Sequence, residues 1–87
     1  MANSWEIALL KCVAGLGNEA HLQHIYREIN NYYNLTTIQK RKTLWGGRPA
    51  YQHQVRSHLS NLCQSKDLTR ISRACYSITE KGRKRIL

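Results

Sequence analysis

The sequence predicts a mainly helical α+β fold: three helices, then a short β-hairpin, then a short basic helix at the C-terminal end. Three observations carry this prediction. Apolar residues recur at intervals of three and four in separate stretches near residues 5–16, 22–29 and 51–62. After Asp67 the alternation shortens to a period of two, over residues 68–72 and again over 75–78. Helix signals then return with Thr79-Glu80.

Ser4 suits the N-cap of the first helix, with Glu6 near the positive end of the helix dipole. Trp5, Ala8, Leu9, Cys12, Val13 and Leu16 make its buried stripe, and Gly15 and Gly17 end it. Asn18 is the expected cap of the second helix, whose apolar face is Leu22, Ile25, Tyr26 and Ile29. Asn30-Asn31 weakens this helix, and it ends near Tyr32 or Tyr33. Residues 34–48 read as a basic connecting loop, in which Thr36 or Thr37 starts a short helical turn and Gly46-Gly47 is a break.

Pro49 fits the first position of the third helix, where its missing N–H costs nothing. On a helical wheel Tyr51, Val55, His58, Leu59 and Leu62 gather on one side, with Cys63 at the border. His53, Ser57, Ser60, Asn61 and Gln64 point the opposite way, and Gln52, Gln54 and Arg56 take the flanks. No acidic residue interrupts residues 48–62, so the outer face is a set of amides, hydroxyls, an imidazole and a guanidinium. The two strand-like runs close around Ser72-Arg73-Ala74 as a hairpin. Thr79-Glu80-Lys81-Gly82 opens the last, strongly basic segment, which ends in Ile86 and Leu87.

Three helices followed by a hairpin is the order of a winged helix-turn-helix, in which the third helix enters the major groove of DNA and the wing lies on the backbone. Residues 1–87 are expected to form one such domain, because a chain this short buries only about 60% of its unfolded surface and supports one small core. The architecture alone does not fix a function, and a protein-protein interaction winged helix without DNA binding is the alternative.

Charge separates these readings. Fourteen Lys and Arg against five acids leave a net charge of +9. Residues 1–28 carry a net −1, residues 29–66 hold six bases and no acid, and residues 67–87 carry a net +4. A polyanion on one side of the domain fits this asymmetry, since each phosphate neutralised releases condensed counterions. An apolar content of 41% is too high for a disordered tail. No apolar run approaches the roughly 20 residues of a membrane span and no signal-peptide pattern opens the chain, so a soluble, cytoplasmic protein is expected. The three cysteines, Cys12, Cys63 and Cys75, form no C-x-x-C pair and read as core residues.

The site expectations follow from groove chemistry. Arg can take guanine O6 and N7, and Gln or Asn can take adenine N6 and N7. Gln52, His53, Gln54, Arg56, Ser57, Ser60 and Asn61, with Gln64 at the end, are therefore the candidates for base contact. Lys40, Arg41, Lys42 and Arg48 before the helix, Arg70 and Arg73 on the wing, and Lys81, Arg83, Lys84 and Arg85 on the tail are the candidates for phosphate contact. Trp45 has no apolar period to claim it: it folds back on the core or, if exposed, meets a thymine or 5-methylcytosine methyl group. His21-x-x-His24 has no third ligand at suitable spacing, and the five scattered acids make no nuclease centre. We expect no catalysis, no metal and no cofactor, and no small-molecule substrate.

The stretch "RPAYQHQVRSHLSNLCQSKDLTRISRACYSITEKGRK" resembles the winged-helix module at the N-terminus of Mrr-like and other modification-dependent restriction endonucleases. The matching residues are Tyr51, Val55-Arg56, Leu59, Leu62, Leu68, Ile71, Tyr76, Ile78, Thr79 and Gly82, and "HLQHIYREI" (His21 to Ile29) fits the second helix of that module. Ala74 departs from it, standing where the family has glycine in the wing turn. The resemblance implies binding of double-stranded DNA, in its narrow form at a modified cytosine. It also implies that any cleavage belongs to a separate nuclease domain or partner.

Overall fold

The computed structural model describes residues 4–33 and 50–87. The expected basic loop, with Lys40, Arg41, Lys42, Trp45 and Arg48, and Pro49 ahead of the third helix lie outside the described residues. Helix α1 (Ser4–Gly15) takes in Ser4 as its first residue. It ends where Gly17 and Asn18 both adopt positive φ (96° and 69°) and the Asn18 N–H reaches back to the Val13 carbonyl (3.1 Å). Asn18 therefore does not cap the second helix, as its position had suggested. It turns the chain into a strand, β1 (Glu19–His21), that the sequence pattern had not disclosed.

Helix α2 (Leu22–Glu28) starts three residues later than expected and is capped by His21, whose Nδ1 accepts from the Gln23 N–H (3.1 Å). A 3₁₀ turn (Ile29–Asn31) finishes it, in keeping with the weakening effect of Asn30-Asn31. Helix α3 (Ala50–Gln64) and strands β2 (Leu68–Ser72) and β3 (Cys75–Ile78) lie where the sequence places them, and α4 (Glu80–Arg85) closes the chain. The strands form one antiparallel sheet in the order β1-β3-β2. This α+β arrangement is compatible with a winged helix. Among the described residues no helix is long and apolar enough to cross a membrane.

The core joins all the helices that the pattern marked. Leu9, Leu10, Cys12 and Val13 of α1 meet Ile25 and Ile29, then Val55, Leu59 and Leu62 of α3, and Leu68 and Ile78 of the sheet. Leu10, outside the expected stripe, is fully buried, because α1 packs against α2, α3, α4 and the sheet together and so buries more than one face. Leu16, inside that stripe, is only partly buried. Tyr51 is half-buried and packs edge-to-face on Tyr26 at 6.3 Å, while Tyr33, Trp5 and His58 stack in a row.

The hairpin carries two local irregularities. Arg70 pairs with Tyr76 but Ser72 pairs with Cys75, so Ile71 is an extra residue, a β-bulge. At the turn Ala74 holds φ 61°, the left-handed conformation that glycine adopts without strain. The Ala74 carbonyl accepts the Leu22 N–H at 2.7 Å, which ties the turn to the start of α2.

The I-T-x-x-G ending has a structural explanation. Thr79 caps α4 by accepting the Gly82 N–H (3.1 Å), and its own hydroxyl donates to the Lys66 carbonyl (2.7 Å). The Thr79 N–H in turn donates to the Asp67 carbonyl (3.1 Å). Gly82 lies so close to that carbonyl that a Cβ would collide with it and press tightly on Ile78. The motif thus fastens the end of the hairpin and α4 onto the turn that leaves α3.

Candidate nucleic-acid interface

Residues that alternate along the hairpin face the same way, and this sets the geometry of the site. Leu68 pairs with Ile78, and both enter the core; two residues on, Arg70 pairs with Tyr76 on the same side of the sheet. That second pair lies beyond the core and meets the outer face of α3. The result is an open groove of about 650 Å³ lined by His53, Arg56, Ser57, Ser60 and Asn61 from α3, Arg70 and Tyr76 from the hairpin, and Cys63.

Five of the seven residues expected to contact bases line this groove together: His53, Arg56, Ser57, Ser60 and Asn61. The other two do not. Gln52 is half-buried, with its amide 3.5 Å from the Tyr51 hydroxyl, and Gln54 is exposed but outside the groove, as is Gln64. Arg70, expected only at phosphate, shares the groove with the helix. Tyr76 and Cys63 were not among the candidate residues. The signal for Tyr76 was present in the alternation: it lies two residues from the buried Ile78 and directly opposite Arg70.

The charges around the groove are free to act outward. Arg56, Arg70 and Arg73 are exposed, and none has a carboxylate partner among the described residues. The acids are held elsewhere. Asp67, at 1% exposure, accepts from the Ser65 hydroxyl (2.6 Å) and pairs with Arg85, which also reaches Glu6 (3.7 Å). Glu6 lies 3.8 Å from Nδ1 of His58 on the inner side of α3. Burial alone would raise the Asp67 pKa, but hydrogen bonds from Ser65 and Arg85 and the charges of Arg85 and Lys81 outweigh it and hold the carboxyl below its ordinary value.

This network changes the reading of the tail. Arg85, expected at phosphate, faces inward onto two carboxylates. Lys81 donates to the Ser65 carbonyl (2.7 Å) and Lys84 sits 3.9 Å from Glu80, yet both stay exposed, as do Arg83 and Arg73.

Neither groove nor core offers a reactive thiol. Burial, reinforced by the charge of Glu28, pushes the Cys12 thiol up to about 12. Burial also raises Cys63 against the opposing pull of Arg70. Among the described residues no three His, Cys, Asp or Glu side chains assemble as a metal site, and Nδ1 of His21 is engaged in capping α2.

What the arrangement can do is present hydrogen-bond donors, acceptors and cations along one concave, acid-free surface. No curated protein and no solved structure matches the chain. The family model described as the Mrr N-terminal domain matches residues 3–86, which takes in both sides of the groove and the network behind it. The chain therefore belongs to the Mrr N-terminal domain family.

Proposed function

We propose that this chain is a winged helix-turn-helix that binds double-stranded DNA as the recognition module of a restriction system. In this reading α3 enters the major groove and the hairpin acts as the wing. The observation that carries the proposal is the acid-free groove, in which the polar outer face of α3 and Arg70 of the hairpin converge. Arg56, His53, Ser57, Ser60 and Asn61 read base edges there. Arg73, Arg83 and Lys81, together with Lys40, Arg41, Lys42 and Arg48, contact phosphate and set the register. The chain itself is non-catalytic: its five carboxylates are dispersed, and Glu6 and Asp67 are committed to ion pairs. Such a role places it in the cytoplasm, with a nuclease domain or subunit as its partner.

Fluorescence anisotropy against a duplex library, at two salt concentrations, tests the proposal. Arg56→Ala is expected to weaken binding to the preferred duplex by about 1–3 kcal/mol, the value of a good bidentate base contact. Equal affinity of variant and wild type removes Arg56 from the interface. Absence of salt-dependent retention on DNA favours the protein-interaction alternative. Selectivity for 5-methylcytosine, supported by the family resemblance and by Trp45, is read by comparing one duplex with and without the methyl group. Indifference to the methyl removes that narrower claim.

A further inference from the structure

We propose that Ile71 is an apolar wedge that seats the hairpin tip in the minor groove of the duplex whose major groove receives α3. The inference rests on the DNA-binding reading and adds to it a residue that no hydrogen-bonding pattern selects. Ile71 is 50% exposed, and among the described large apolar residues only Tyr32 and the chain-end Leu87 are also exposed. It is the extra residue of the β-bulge, so its side chain is released from the alternation that sends Leu68 into the core and Arg70 into the groove.

Its neighbours state the chemistry of what it meets. Arg70 and Arg73 flank it and carry no carboxylate partner among the described residues. An apolar side chain with an unpaired arginine to either side of it in sequence matches the minor groove, where deoxyribose walls offer apolar surface between two rows of phosphate and apolar side chains wedge between base steps. A narrow groove also concentrates negative potential that attracts arginine. Arg70 lines the surface given to the major groove, and Ile71 is the next residue along the hairpin toward its turn.

Ile71 lies on β2, an edge strand paired only to β3, and it is β3 that anchors the hairpin. Strand β3 is paired on both edges, and the turn carbonyl of Ala74 is held by the Leu22 N–H at 2.7 Å. A wedge on such a base loses little freedom when it binds.

The test uses the full chain in anisotropy titrations over a salt series, with thermal melts of each variant. Ile71→Thr keeps the β-branch and the strand preference but removes apolar surface. It is expected to weaken binding about five- to twentyfold with the salt slope and melting temperature unchanged, while Ile71→Val stays within about twofold of wild type. Replacing guanine by inosine in the flanking steps removes the minor-groove amino group and leaves the major-groove edge intact. This replacement is expected to tighten wild-type binding and to have little effect on Ile71→Thr. An Ile71→Thr variant that binds as wild type does, or a wild type blind to inosine, overturns the wedge and leaves the DNA reading standing. A wild type that binds no duplex overturns both.

Discussion

Ala74 sits in the left-handed region at φ 61°, where a Cβ costs about 1 kcal/mol or more that glycine does not incur. The cost is borne because the Ala74 carbonyl and the β3 pairing on either side fix the turn. Ala74→Gly is accordingly expected to stabilise the protein by about 0.5–1 kcal/mol, a rise of a few degrees in the melting temperature of a domain this size. A circular-dichroism melt that shows no rise would mean the strain is relieved in some other way. The sequence marked this position as a departure from the family pattern. It did not mark Asp67, whose burial and pairing with Arg85, 18 residues on, depend on a long-range approach that no local spacing encodes.

Thr79 shows how one short motif can serve several elements. It caps α4, tethers the strand end to the exit of α3, and sits beside the glycine that allows close approach. Thr79→Ala is expected to cost about 1–2 kcal/mol, with Thr79→Ser recovering most of it, as measured by urea unfolding. A loss no greater than that of an exposed threonine would dissociate the hydroxyl from the packing of α4. The elements themselves differ in how plainly the sequence announces them. Helices α1 and α3 are long enough for several turns of periodicity, and β2–β3 alternates around a turn, so all were readable. Strand β1 has three residues of which only Ala20 is buried, too few for a period to appear, and it is recognisable only through its pairing with β3. The candidate site was legible to a similar depth. The outer face of α3 followed from the helical wheel, whereas Tyr76 and Arg70 joined it only once the hairpin had a position beside the helix.

Among the described residues Glu6 and Asp67 are drawn into ion pairs behind α3, while Arg56, Arg70 and Arg73 stay exposed and without a carboxylate partner at the groove and on the hairpin. The folded pKa of Asp67 lies below its unfolded value of about 3.9, so the folded chain binds fewer protons there. Its contribution is complete above about pH 4 and is lost as pH falls through the folded pKa. Asp67→Asn is therefore expected to melt lower than wild type at neutral pH but to lose less on acidification to about pH 3; parallel curves would assign the acid sensitivity to another group. The same division of charge separates two arginines that composition alone treats alike. Arg73 is exposed on the hairpin, and Arg85 bridges Glu6 and Asp67. Removing Arg73 is expected to weaken DNA binding on every sequence and to lower the slope of log affinity against log salt by about 1, with no change in melting temperature. Removing Arg85 leaves a buried carboxylate without its cation, so Arg85→Ala is expected to lower the melting temperature and leave the salt slope as it was. If Arg85→Ala instead reduces the slope as Arg73→Ala does, the guanidinium leaves its carboxylates for phosphate on binding, and the inward network is a feature of the free protein alone.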